Sequence, residues 1–181
     1  MIKISIIKNL GYREVKTMSA NRTLDFDFYQ QEDQPLFSIL TKDIRVMRYI
    51  TEKAETDLEA NDNFKKILLY NTTHQDQTGY YKFFDQETYI GFGKLSWDEE
   101  GKLEIGYMIV PDHWSKGYAT LIIATLLDMV RQSESLNKAT VYAIIDPSNG
   151  ASKHLLEKHH FVSVWQGIED GLPSEHLVWQ P

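Results

Sequence analysis

Apolar and polar residues alternate over residues 23–29, with Leu24, Phe26 and Phe28 on one face and Asp25 and Asp27 on the other. A period of two predicts a half-buried strand. Glu32-Asp33-Gln34-Pro35 then carries the marks of a helix start, acids in the first turn and a proline near the opening, and residues 36–40 continue it. Leu58, Phe64, Ile67 and Leu68 form a partial helical stripe over residues 56–70, and the polar run 71–79 reads as a loop. Residues 80–84 and 88–97 are aromatic-rich strands joined by a turn at Asp85-Gln86-Glu87. A glycine-containing hairpin signal over 98–102 leads into a strand over 103–110, which Pro111 closes. The rhythm then changes to helix 119–132, strand 139–145, helix 148–158, strand 161–166 and a short last strand 175–179. Strands joined through helices need crossover connections, hence some parallel pairing. The pattern predicts one mixed α/β domain over residues 23–181, with residues 1–22 as an N-terminal extension. Within that extension, residues 1–20 read as a short extra strand or a loose arm, and Met18 is an alternative start.

Composition narrows the function classes. A chain of 181 residues suits one domain. There is no cysteine, so there is no disulfide, no thiolate nucleophile and no Cys-based zinc site, which fits a reducing compartment such as the cytoplasm. The net charge of −7 comes without a basic stripe, so a nucleic-acid partner is not expected and a cationic one is mildly favoured. No apolar run reaches the roughly 18 residues of a membrane span, so no membrane partner is expected either. His154, His159 and His160 cluster in sequence, but His154 and His159 are not at the three- or four-residue spacing of helical metal ligands, and no metal is expected.

The junction between strand 103–110 and helix 119–132 carries the chemistry. A short loop with Ser115, Lys116 and Gly117 leads into a helix starting near Tyr118. Unpaired first-turn N–H groups and the helix dipole make such a junction an anion site suited to a pyrophosphate. Gly117 lets backbone approach closely, Lys116 adds charge, Ala119 is small and Thr120 adds a hydroxyl. Neither a Walker loop nor a dinucleotide fingerprint is present, and a strand–Gly–helix turn alone is common. Further on, Asn149 or Ser148 can cap the helix that follows strand 139–145.

Together, in this order and spacing, the two stretches resemble the GNAT superfamily, in particular the branch containing the ribosomal-protein-alanine N-acetyltransferases. The residues that carry the likeness are Gly106-Tyr107-Met108-Ile109-Val110-Pro111, Trp114-Ser115-Lys116-Gly117-Tyr118-Ala119-Thr120, Asn149-Gly-Ala-Ser152 and Leu156-Glu157-Lys158-His159-His160-Phe161. Val46-Met47-Arg48-Tyr49-Ile50 looks like the branch's first-helix region, and Tyr89-Ile90-Gly91-Phe92 like its central strand. Four positions depart. Trp114 stands where the superfamily opens the pyrophosphate loop with Gln or Arg, as is usual in this branch. Ser115 stands where the branch has Gly, which a negative φ tolerates. His160 stands for another Gly, which argues against a tight left-handed helix cap there. The tyrosine that many members use as general acid is Leu156 here, so that role moves elsewhere or is absent.

The resemblance implies the acyl-CoA N-acyltransferase fold: a mostly antiparallel central sheet, a splayed parallel strand pair and flanking helices. It implies acetyl-CoA as cosubstrate, with pantetheine added to the splayed strand along Met108, Ile109 and Val110, whose backbone also polarises the thioester carbonyl. The loop Ser115, Lys116, Gly117, Tyr118, Ala119 and Thr120 would hold the pyrophosphate, and Asn149 and Ser152 would contact pantetheine or the thiol end. Glu104 is either a general base, directly or through a water, or a solvated strand carboxylate. Ser152 is either the acid that protonates the leaving thiolate or a helix-start hydroxyl. Trp97, Tyr107 and Tyr118 either line an acceptor pocket or belong to the core. The expected acceptor is a protein or peptide N-terminal α-amine; the alternatives are a small amine such as a polyamine, amino sugar or drug, or a non-catalytic acyl-CoA-binding module. Superfamily members often dimerise, so a homodimer is among the expected assemblies.

Overall fold

The computed structural model describes residues 22–74 and 76–181. The expected strand or arm over residues 1–20 lies outside them. Strand β1 (Asp25–Phe28) is followed by a 3-10 turn (Gln31–Asp33) and by helices α1 (Gln34–Thr41), α2 (Ile44–Met47) and α3 (Asp57–Thr73). Strands β2 (Gly79–Asp85), β3 (Thr88–Trp97) and β4 (Leu103–Ile109) form a meander, and a 3-10 turn (Pro111–His113) leads to α4 (Tyr118–Gln132). Then come β5 (Val141–Ile145), α5 (Gly150–Lys158), β6 (Phe161–Glu169) and β7 (Leu172–Trp179). The seven strands form one sheet in the order β1-β2-β3-β4-β5-β7-β6. Every neighbouring pair is antiparallel except β4 with β5. The mixed, mostly antiparallel architecture expected from the sequence is the one observed.

Two cores sandwich the sheet. On one face α4 presents Leu121, Ile122, Ile123, Leu126, Leu127 and Val130 to Phe83, Leu95, Ile105 and Val141. Each such side chain contributes about 1.5–3 kcal/mol by leaving water, which is why α4 is apolar around most of its circumference. On the other face α1, α2 and α3 pack Phe37, Leu40, Val46, Met47, Phe64 and Ile67 against Tyr29 and Phe92. No helix among the described residues is long and apolar enough to cross a membrane.

Helix α3 differs from its expected form in two ways. Its buried stripe is Ala60, Phe64 and Ile67, at spacings of four and three, whereas Leu58 is exposed. It also runs to Thr73, into the stretch expected to be loop. The start is fixed by a capping box between Thr56 and Glu59. Near the end, Asn71 bonds both backbone groups of Tyr80, at 2.8 and 3.0 Å, and ties the last turn to β2.

The end of α5 also differs. His160 adopts φ 68, and its N–H donates to the Glu157 carbonyl at 3.0 Å, so the left-handed cap forms without glycine. That conformation costs a β-carbon residue about 1–2 kcal/mol, part of which glycine's own entropy offsets. His160→Gly is therefore expected to stabilise the domain by about 0.5–1 kcal/mol and to raise the unfolding midpoint by about 1–4 °C. Calorimetry showing a lower midpoint would contradict this.

Candidate functional site

Strands β4 and β5 pair only at Leu103 with Val141 and Glu104 with Tyr142. Beyond that point β4 stays with β3 as far as Ile109, while β5 follows β7 through Ile145. The two strands part, and a cleft of about 430 Å³ opens between them. Residues Ile105 to Ile109 of β4 form one wall, and Ala143, Ile144 and Ile145 of β5 form the other. Gly117, Tyr118 and Ala119 from the start of α4 lie at one end, with Asn149, Ala151 and Ser152 of α5 alongside.

Backbone parity decides which groups of β4 face the cleft. The Val110 N–H donates to the Ile90 carbonyl at 2.9 Å, so Val110 points at β3. Antiparallel pairing alternates, and the register sets Phe92 opposite Met108, so Met108 points at β3 as well. The residues whose N–H and C=O turn towards the gap are Ile105, Tyr107 and Ile109. The Ile109 carbonyl accepts from Trp114 Nε1 at 2.8 Å, which agrees with this parity. Of the positions expected to pair, Ile109 turns its backbone groups towards the gap, whereas Met108 and Val110 turn theirs to β3.

The loop before α4 is built on two left-handed residues, Ser115 at φ 60 and Gly117 at φ 82. Ser115 thus adopts the conformation that its replacement of glycine was expected to avoid. No side chain caps α4 at Gly117, so its first-turn N–H groups are left for another acceptor. A β-carbon on Gly117 would meet nothing within 4 Å, so φ rather than space selects glycine there. Ser115, Gly117, Tyr118 and Ala119 line the cleft; Lys116 and Thr120 are exposed beside it and outside its lining.

The start of α4 is held from below. Tyr118 Oη donates to Asp85 at 2.7 Å, and Arg22 bonds both Asp85 and the Tyr118 hydroxyl while its guanidinium stacks over the Tyr118 ring. The Arg22 guanidinium, with the Tyr118 hydroxyl second, lowers the Asp85 pKa below the usual carboxylate value. A depressed carboxylate contributes stability above its unfolded pKa of about 3.9, and that contribution is lost as pH falls through the folded value. Asp85→Asn is expected to cost about 1 kcal/mol at pH 7 and distinctly less at about pH 2, since the contribution fades as pH falls below the unfolded value and on through the lowered folded one. Equal deficits in urea titrations at both pH values would overturn this.

On α5, Asn149 Oδ1 accepts from the Ser152 N–H at 3.2 Å, so Asn149 caps the helix while also lining the cleft. Lys153 donates to Glu175 at 2.8 Å, fastening the same turn to a carboxylate that is 1% exposed. Ser152 Oγ lies 2.9 Å from Tyr107 Oη. Leu156 is buried in the core and offers the cleft nothing polar.

Glu104 does not line this cleft. Its side chain lies on the face of β4 that carries Met108, opposite Tyr107, joined to Lys94 at 2.5 Å, in an adjoining cavity of about 290 Å³. The two cavities share Tyr49, Ile50, Ile144 and Ile145 as walls. The smaller one is lined by the carboxylates of Glu52, Glu104, Asp146, Glu169 and Asp170, with no basic residue among its described lining. Sequence reasoning missed this acidic set, because it gathers side chains from four separate segments. Of the three aromatics considered, Tyr107 and Tyr118 line the main cleft, while Trp97 donates its Nε1 to Asp76 at 2.7 Å away from it.

Comparison with known proteins agrees with this geometry. A family model described as an acetyltransferase (GNAT) domain matches residues 24–162. An uncharacterized N-acetyltransferase p20 of Bacillus licheniformis is 27% identical over 136 residues, 72% of this chain and 74% of that one. Among solved structures, a spermidine N-acetyltransferase from Vibrio cholerae, in complex with CoA and spermine, superposes with a TM-score of 0.69 at 21% identity, covering 86% of this chain and 94% of the other. RimL, a ribosomal-protein alpha-N-acetyltransferase in complex with coenzyme A, superposes at 0.71 with 12% identity, covering 92% and 97%. At such identities the structural likeness speaks for the fold.

Proposed function

The chain belongs to the GNAT acetyltransferase domain family and is an acetyl-CoA-dependent N-acetyltransferase, and from that premise we propose that its acceptor is a small primary amine carrying further positive charge, of the polyamine type. One observation carries this reading: the main cleft adjoins a cavity lined by five acidic residues, of which Glu104 is paired with Lys94 and Glu169 with His176, while Glu52, Asp146 and Asp170 have no basic partner among the lining residues. Such a wall attracts a multiply charged amine, and concentrated like charge in a low-dielectric recess strengthens the attraction. The spermidine enzyme among the structural neighbours takes a substrate of this class. A peptide α-amine, the class of the RimL neighbour, is the second reading; the branch motifs quoted above and that one distant likeness support it.

In this reading the pantetheine lies along β4, bonded to the cleft-facing backbone of Tyr107 and Ile109, and the pyrophosphate sits on the uncapped start of α4. A cleft-facing N–H of β4 polarises the thioester carbonyl. The amine enters from the acidic cavity, which shares Tyr49, Ile50, Ile144 and Ile145 with the cleft. The carboxylates that attract the ammonium also keep it protonated, so the reaction needs a base. Glu104 fills that role, directly or through a water, with the carboxylate oxygen that Lys94 does not engage. Glu104 takes one proton from the ammonium, the neutral nitrogen attacks the carbonyl carbon, the C–S bond breaks as Ser152 gives its proton to the departing thiolate, and the second proton that the nitrogen sheds on becoming an amide returns to the Ser152 oxygen.

A panel of spermidine, spermine, an amino sugar and short peptides tests the acceptor class. Spermidine or spermine is expected to give the highest kcat/KM. Asp170→Asn is expected to raise the KM of the polyamine about 3–10-fold, with little change for acetyl-CoA, since one partly screened charge pair contributes about 1 kcal/mol. Peptides outperforming polyamines, with no effect of Asp170→Asn, would favour the second reading.

A further inference from the structure

We propose that Tyr107 is a positioning residue for the acetyl transfer, which fixes the rotamer of the Ser152 hydroxyl so that its hydrogen points at the departing sulfur. The inference rests on the role given to Ser152 above.

The geometry is specific. Tyr107 extends from β4 onto the α5 face of the sheet, and its hydroxyl meets Ser152 Oγ at 2.9 Å inside the cleft. A serine hydroxyl has one hydrogen and a free rotor, so unconstrained it points at any nearby acceptor. A phenol is a stronger acid than an aliphatic alcohol, so in a Tyr–Ser pair the phenol is the better donor. Once Tyr107 donates to Oγ, the hydrogen of Ser152 must point elsewhere. Among the described residues Oγ has no hydrogen-bond partner other than Tyr107, Asn149 Oδ1 taking the Ser152 N–H instead, and position 156 carries a leucine buried in the core. The space left is the cleft. Burial raises the pKa of the Tyr107 phenol above its ordinary value, so it remains a protonated donor across the working pH range. Helix α5 cannot swing away from this contact cheaply, since Lys153 bonds the buried Glu175 one residue further on.

The consequence is coupling between two side chains that the sequence separates by 45 positions. Ser152 delivers the proton; Tyr107 ensures that it is aimed. A phenol on the strand thereby supplies an orienting hydroxyl that the helix does not.

The test is a double-mutant cycle on the full chain, with initial rates measured against both substrates. Ser152→Ala is expected to lower kcat by about 100-fold, the low end for loss of a general acid. Tyr107→Phe keeps the ring and removes one hydrogen bond; it is expected to lower kcat by about tenfold, with KM for acetyl-CoA within about twofold of the parent. The double variant is expected to be no slower than Ser152→Ala alone, because without the serine there is nothing to aim. Losses that multiply to about 1,000-fold in the double variant would mean that the two act separately and would overturn the inference. So would a Tyr107→Phe variant with full kcat, or one whose only change is a raised KM for acetyl-CoA, the mark of a mere wall residue. If Ser152→Ala keeps the parental rate, the acid assignment itself fails and the inference falls with it. If Ser152→Ala is slow while Tyr107→Phe is not, the acid assignment stands and only the positioning role is lost. Thermal midpoints of both single variants guard against a folding defect.

Discussion

Thr120→Glu is expected to make the domain slightly more stable while lowering its affinity for acetyl-CoA about 100-fold. The two effects have opposite signs because the same helix end does two jobs. Gly117 is the N-cap of α4, so Thr120 is the third helical residue, and it is exposed. A glutamate there complements the dipole and accepts from first-turn N–H groups, which is worth about 0.3–1 kcal/mol. The midpoint should rise by about 1–4 °C. The same carboxylate occupies the donors proposed for the pyrophosphate and repels it. Two phosphate charges within a helical turn, at about 1–2 kcal/mol each for a partly solvated site, account for the predicted loss. Calorimetric titration of acetyl-CoA into parent and variant reads it directly. Unchanged affinity in a well-folded variant would mean that the pyrophosphate does not sit on α4.

Glu104→Gln is expected to lower kcat at pH 7 by about 100-fold, the contribution of a positioned base. The pH dependence separates this from a structural effect. Without a base the variant must wait for amine that is already neutral. For an amine of pKa about 10.4, that fraction grows about tenfold per pH unit, so the gap to the parent should narrow steadily towards pH 10. The pairing with Lys94 is also lost, but a loss of stability does not make the rate deficit shrink tenfold per pH unit. A constant ratio of rates from pH 7 to pH 10, or no loss at all, would remove Glu104 from the mechanism.

How much of this was legible in the sequence depends on which physical signal each feature leaves. The strand β3 and helix α4 were legible because their periodicity is strong and their ends carry turn residues; α4 begins one residue before the expected helix. For helix α3 the length is right to within a turn and the face is right at Phe64, Ile67 and Leu68 but not at Leu58. Leu58 counted as core by type, although Ala60, which is smaller, is the residue that packs at that level. The β6–β7 hairpin was missed despite a good signal. Asp170 and Gly171 adopt φ 51 and 83, the two-residue turn that Asp-Gly favours, and the flanking strands run right up to it.

The site divides in the same way. Ser115, Gly117, Asn149 and Ser152 were visible because loop and cap chemistry is local. Met108 and Val110 turn their backbone groups to β3 and Tyr107 turns its own to the gap, because adjacent residues in a strand point these groups in opposite directions. Which parity faces the cleft depends on the register with β3, which the local pattern does not encode. The acidic cavity had no local signature. Glu52 follows α2 and Asp170 closes a hairpin near the other end of the chain, and only the folded sheet brings them to one wall. Tyr107 read equally well as core or pocket, and its contact with Ser152 needs both the strand twist and the placement of α5.

The most direct test of the central claim is thermal unfolding of the parent chain with and without acetyl-CoA, followed by the release of free CoA when spermidine is added. At 100 times its dissociation constant, a ligand bound to the folded state contributes about 2.7 kcal/mol. For a domain of this size the midpoint should rise by roughly 5–11 °C, neither ATP nor NAD should reproduce the shift, and free thiol should appear only when both substrates are present. A flat midpoint at millimolar acetyl-CoA, with no thiol released, would contradict the account at its root: the gap between β4 and β5 would not be a cofactor cleft.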